Sequence, residues 1–174
     1  MVMYSQVISG LDTADVLKTA IYNEKLAADY YDSMADYCSR GGNPKAADFF
    51  RYQAMRERGH FNGLMKFMKR RGESNTPALG EVIAWVGFES ANVEKMNPKL
   101  SLDDSLRHVE KREAEAFAFY DEYSAKVDDP EVASLFKHLA LEEARHMKLA
   151  QKTRNIYERR GLLEEPEYED LGLG

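Results

Sequence analysis

Residues 129–157 read DPEVASLFKHLALEEARHMKLAQKTRNIY, and the spacing of their apolar positions decides the fold. Val132, Phe136, Leu139, Ala150, Thr153 and Tyr157 fall on one stripe with steps of three and four, the period of a helix face. Asp129 and Pro130 are suited to open that helix, one as a cap and the other in the first turn. The stripe is interrupted at its centre by Glu143 and His146. Residues three apart share a helix face, so Glu143-Ala144-Arg145-His146 points a carboxylate and an imidazole the same way, about one turn apart.

The same string occurs once more, as Glu57-Arg58-Gly59-His60. It too breaks an apolar stripe, formed by Ala46, Phe50, Gln53, Leu64 and Phe67 on a helix running from about Pro44 to Arg71 and ended by Gly72. Lys69, Arg70 and Arg71 suit the negative end of that helix's dipole. Two further stripes are each broken by a single glutamate. Leu17, Ile21, Glu24, Ala28, Tyr31, Ala35 and Cys38 mark a helix from Asp12 to about Ser39. Leu102, Leu106, Val109, Glu113, Ala116, Tyr120, Tyr123 and Val127 mark one starting near Ser101, with Asp104 placed for a capping box.

The two halves of the chain repeat each other. Leu-x6-Glu-x6-Tyr occurs as Leu17, Glu24, Tyr31 and as Leu106, Glu113, Tyr120, each followed by a Glu-x-x-His helix. The two Glu-x-x-His strings lie 86 residues apart and the two single glutamates 89, so an internal duplication of a helix pair accounts for the pattern. Short breaks within each pair and a long stretch between them, Glu73 to Leu100, predict an all-α four-helix bundle with one long crossover. A short helical piece is expected in that crossover, near Leu79 to Glu94, carrying Val82, Ile83, Trp85, Val86 and Phe88.

At 174 residues one domain is expected, with the bundle over about 12–160 and an acidic tail over 161–174. The net charge of -6 offers no basic face for a nucleic-acid backbone. A single cysteine, Cys38, excludes a disulfide framework and any Cys-x-x-Cys metal or redox site, and the cytoplasm fits best. The first residues have no signal-peptide pattern and no apolar run reaches membrane-spanning length, so a soluble, unprocessed chain with no membrane partner is expected.

The bundle centre would receive Glu24, Glu57, His60, Glu113, Glu143 and His146. An unpaired carboxylate in a core loses on the order of several kcal/mol of hydration, so four of them need cations. Two divalent ions balance four carboxylates and leave the imidazoles neutral. Oxygen and nitrogen donors without thiolate suit iron or manganese, with zinc as a substitute. In such sites the Glu-x-x-His carboxylates bridge, which assigns Glu57 and Glu143 to bridging positions and Glu24 and Glu113 to terminal ones.

Glu110, one turn before Glu113, either leans toward a metal or forms an ion pair. Tyr31 and Tyr120 are candidates to hydrogen-bond the carboxylates, or else core aromatics with satisfied hydroxyls. Gln53 has the same two readings. His108 and His138 lie off the stripes and are expected at the surface, with Glu142 and Arg145 either in solvated pairs or hydrogen-bonded to the residues that hold the metals.

Together Leu17, Glu24 and Tyr31, Glu57 and His60, Leu106, Glu113 and Tyr120, and Glu143 and His146 resemble the rubrerythrin-like branch of the ferritin-like superfamily over about residues 12–160. The resemblance implies a di-iron carboxylate protein, commonly a homodimer, in which ferrous iron reacts with peroxide or dioxygen. It also implies two departures. No rubredoxin-like segment follows residue 161, so electrons are expected from an external donor protein. Where rubrerythrins carry an additional glutamate three residues after the position of Glu113, this chain has Ala116. Peroxide reduction is the leading expectation, with ferroxidase or iron-handling activity, and a non-catalytic metal-binding module, as alternatives.

Overall fold

The structure is a computed structural model and describes residues 13–72 and 101–160. Four helices account for them: α1 (Thr13–Arg40), α2 (Pro44–Arg70), α3 (Leu102–Ser124) and α4 (Pro130–Arg159). There is no strand among the described residues. The expected crossover helix at 79–94, the Asp12 cap and the tail 161–174 lie outside them.

The helix starts are fixed by local chemistry. Asn43 accepts a hydrogen bond from the Ala46 amide at 3.1 Å, with Pro44 directly after it needing no partner for a missing N–H. Ser101 caps α3 through the Asp104 amide at 3.0 Å, and the Asp129 carboxylate caps α4 through the amides of Glu131 and Val132 at 2.9 and 3.2 Å. Between α1 and α2, Gly42 takes a positive φ of 77°, where a side chain would be strained. Asn43→Ala is expected to lower stability by about 1 kcal/mol, measured as a shift in the denaturation midpoint at constant slope.

α1 packs along α2, and α3 along α4. The pairs are locked across the bundle by Tyr31 of α1 meeting Glu113 of α3 and Tyr120 of α3 meeting Glu24 of α1, so α1 and α3 are antiparallel. With α1 also antiparallel to α2, the second and third helices run the same way, and a long connection between them is required.

The core has two apolar ends. One holds Leu17, Ile21, Leu64, Phe119 and Phe136, and the other Met34, Phe50, Leu106, Val109 and Ala150. Between them lies a polar layer at the level of the interrupted stripes. Val132, Phe136 and Leu139 of α4 are buried as their spacing requires, while Thr153 and Tyr157 are half-buried near its end. No helix among the described residues is long and apolar enough to cross a membrane.

Candidate metal centre

Each helix contributes to the polar layer at the break in its stripe: Glu24 from α1, Glu57 and His60 from α2, Glu113 from α3, Glu143 and His146 from α4. Glu143 is 0% exposed, His146 1%, Glu113 2%, and Glu24 and Glu57 4%. His60 is half-buried. The structure brings all six together.

They form two groups of four donors, Glu24, Glu57, His60 and Glu143 in one and Glu57, Glu113, Glu143 and His146 in the other. Within each group the donor atoms lie within 4.8 Å of one another, and Glu57 and Glu143 belong to both. His60 Nδ1 is 3.4 Å from Glu24 Oε2 and 3.0 Å from Glu143 Oε1. His146 Nδ1 is 3.2 Å from both Glu113 Oε2 and Glu143 Oε2. The two imidazoles stack with centroids 5.1 Å apart and planes 8° from parallel.

Several of these atoms are close without being aligned to bond one another. Glu24 Oε2, Glu57 Oε1, His60 Nδ1 and both Glu143 oxygens are buried and make no hydrogen bond. Buried acceptors left unmatched are strongly unfavourable. Converging on shared points, they fit cations placed between them, and oxygen-rich donors with one imidazole per group suit iron or manganese.

Neighbouring side chains fix the carboxylates. Tyr31 donates to Glu113 Oε1 at 2.9 Å, Gln53 Nε2 approaches the same oxygen at 3.4 Å, and Tyr120 donates to Glu24 Oε1. Each tyrosine serves the glutamate of the opposite helix. Seven residues along a helix span roughly 10 Å, too far for a tyrosine to reach the glutamate of its own repeat.

Glu110 is directed elsewhere: its Oε1 accepts from Arg154 Nε at 3.0 Å, and it belongs to neither donor group. Glu142 and Arg145 pair at the surface and His138 is exposed, as their positions off the stripe imply. His108 corrects the expectation of a surface residue. It is half-buried and its Nε2 shares a hydrogen bond of 2.6 Å with the Tyr30 hydroxyl, and burial together with Arg112 and Lys111 holds its pKa down to about 4. Asn23 and Arg112, both buried beside single glutamates, were not singled out by sequence either. The available signal was their position immediately before Glu24 and Glu113, equivalent places in the repeat.

Without metal the cluster balances its charge with protons. Burial pushes Glu24 up to about 8, so it is a neutral acid at pH 7, and burial with the neighbouring Glu57 raises Glu113 well above the usual range. Burial also opposes charge on Glu57, but the neighbouring imidazoles of His146 and His60 hold its carboxyl below the usual range. Glu143 shifts down as well, the same two histidines outweighing burial and Glu57. Burial opposes the His146 cation, yet Glu113, Glu143 and Glu57 raise it to about 11, and His60 is raised likewise by Glu24 and Glu143. Two imidazolium ions thus face two carboxylates.

Two consequences are measurable. Two divalent ions must displace these protons, so loading at pH 7 is expected to release more than one proton per chain, read by titration calorimetry in buffers of different ionisation enthalpy. Release of one or none would contradict this assignment. For stability, Glu24 and His146 have folded-state pKa values above their ordinary 4.5 and 6.5, so the metal-free fold binds their protons more tightly than the unfolded chain does. Their contribution is lost as pH rises through about 8 and then about 11. Glu57 and Glu143 act oppositely on the acid side, and the melting temperature of metal-free protein is expected to fall toward alkaline pH.

A four-helix bundle whose second and third helices need a long connection, with four glutamates and two Glu-x-x-His histidines buried at mid-length, has the architecture of the ferritin-like di-iron carboxylate proteins. The rubrerythrin family model matches residues 15–154, and the chain belongs to the rubrerythrin family. That family typically binds a di-iron centre, for which the cluster supplies suitable donors. Comparison with curated proteins and with solved structures gave no match.

Proposed function

We propose that the chain is a di-iron oxidoreductase that reduces hydrogen peroxide to water with electrons from a separate donor protein. One observation carries this reading: two buried four-donor groups share a pair of carboxylates inside a closed bundle. Glu24 and His60 would help hold one ion and Glu113 and His146 the other, with Glu57 and Glu143, common to both donor groups, available to both. When bound, two ferrous ions would supply the two electrons that reduction of peroxide consumes. The protein's part is positioning. Tyr31 and Gln53 hold Glu113, Tyr120 holds Glu24, and the apolar ends of the core keep bulk water from the layer between them. The protein works in the cytoplasm as a homodimer, and manganese or zinc can substitute in the site.

Rapid mixing of ferrous-loaded protein with equimolar peroxide or dioxygen tests the reading. Peroxide is expected to react faster by about tenfold or more. Equal rates would sink it. Ala116, and the engagement of Glu110 by Arg154, leave the cluster with four carboxylates, which favours a second reading as a ferroxidase that oxidises iron and passes it on. Loss of ferric iron from the protein after oxidation would select that one.

A further inference from the structure

Beyond the donor layer, a phenol and an imidazole that the proposed function does not use are packed against each other. Tyr30 of α1 is 5% exposed, and its hydroxyl shares a hydrogen bond of 2.6 Å with Nε2 of His108 on α3. The Tyr30 ring meets the Tyr31 ring edge-on at 5.6 Å, and Tyr31 donates to Glu113 Oε1 at 2.9 Å. His108 is half-buried. A continuous line of side chains thus runs from the donor layer through two phenols to an imidazole that reaches solvent.

The repeat supplies an internal comparison. Shifted by the 89 residues that separate Glu24 from Glu113, Tyr31 falls on Tyr120, but Tyr30 falls on Phe119 and His108 on Thr19. Phe119 and Tyr120 also meet edge-on, at 5.2 Å, and Tyr120 also donates to a glutamate of the layer. Thr19 gives its hydroxyl hydrogen to the Asp15 carbonyl of its own helix. One half of the bundle therefore fills the equivalent place with no phenol and no base, so packing alone does not call for Tyr30 and His108. What they add is chemistry. A phenol loses an electron readily when a base takes its proton in the same step. Burial pushes the Tyr30 pKa up to about 12, so it keeps its proton at pH 7, while His108, held down to about 4, is a neutral base.

We infer that Tyr30 and His108 form an outlet for oxidising equivalents, in which Tyr30 gives up one electron toward the donor layer and its phenolic proton to His108 Nε2. For its oxidant the inference rests on the peroxide-reducing reading above. Peroxide that receives one electron instead of two yields hydroxide and a hydroxyl radical, and that radical becomes water by taking up one electron and one proton. Tyr31, nearest the layer, relays the electron, its own hydroxyl being committed to Glu113. Tyr30 is left as a neutral phenoxyl radical. His108, whose cation Arg112 and Lys111 disfavour, passes the proton on to solvent. One electron from the donor protein and one proton from solvent restore the phenol.

Flash photolysis of zinc-loaded protein, with a ruthenium polypyridyl photo-oxidant and persulfate as electron acceptor, tests the pair without iron or peroxide. Electron paramagnetic resonance is expected to show a phenoxyl radical with the g-tensor of a hydrogen-bonded oxygen, lost in Tyr30→Phe above the background of the other tyrosines. Tyr30→Phe and His108→Thr copy the opposite half and should fold. His108→Gln keeps an acceptor for the hydroxyl but takes no proton, so formation of the Tyr30 radical should slow about tenfold or more. A Tyr30→Phe spectrum identical to wild type, or a wild-type rate in His108→Gln, would reduce the pair to packing and overturn the proposal. In protein carrying one ferrous ion per chain and frozen after peroxide addition, the same radical is expected. Tyr30→Phe should there show more oxidation of His60 and His146 by peptide mass spectrometry, and equal oxidation in both proteins would overturn the outlet. Should iron-loaded protein not react with peroxide, the functional reading falls, while the photolysis still decides whether Tyr30 and His108 act as a redox pair.

Discussion

Glu143→Ala is expected to deprive the protein of both metal ions, the largest functional loss available from one side chain. Glu143 is fully buried and belongs to both donor groups, with Oε1 facing His60 and Oε2 facing His146. Removing it takes a donor from both groups at once and leaves the excess positive charge less compensated. Bound metal should fall from about two per chain to well under one, and the rise in melting temperature on metal addition should vanish. Glu24→Ala touches one donor group and should leave the other ion in place. The fold of metal-free Glu143→Ala is expected to survive, because Glu24 or Glu113 can surrender its proton and take over the balancing of the imidazolium ions. Glu142→Ala, one residue away on the same helix but paired with Arg145 at the surface, is the control. Two ions retained by Glu143→Ala, or equal losses in both variants, would refute the assignment.

Phe136→Ala is expected to give the largest loss of stability, about 3 to 5 kcal/mol in the metal-free protein. The ring is 0% exposed and lies 5.3 Å from the Tyr120 ring and 6.2 Å from the Phe119 ring, in the apolar end where α3 meets α4. Phe136 lies within a cluster of buried residues, so the cavity left by its removal adds to the lost transfer free energy. For a chain of this size the melting temperature should fall by roughly 10 °C or more. Because Tyr120 holds Glu24, metal affinity should drop too, without any ligand being altered. Leu141→Ala, on the same helix but 53% exposed, should leave both nearly unchanged. A Phe136→Ala variant as stable as Leu141→Ala would mean the core is not organised as described.

The helices and the six metal-facing residues were legible because each cluster residue breaks a pattern. A glutamate between Phe136 and Ala150 on a regular stripe cannot be ordinary, and finding the same break on four helices makes the residues interpretable together. What sequence could not supply was the partner across the bundle. Periodicity places Tyr31 on the face of Glu24, but only the antiparallel packing of α1 on α3 brings its hydroxyl to Glu113. His108 was missed for the opposite reason. A polar residue off the stripe looks solvated, and its burial depends on Tyr30 of another helix, a contact with no local trace. Asn23 and Arg112 hid in the same way, one position from residues that drew attention.

The exchange of tyrosines between the halves is reciprocal. A chain containing only residues 13–72 would carry Glu24, Glu57, His60 and Tyr31, three donors and a hydroxyl whose acceptor lies on another copy. Two such hairpins related by a twofold axis would supply every group the present cluster contains, each tyrosine reaching into its neighbour. The repeat thus gives one polypeptide the outline of a self-complementary pair. The halves are not identical, and Asn23 against Arg112 is one place where equivalent positions of the repeat differ.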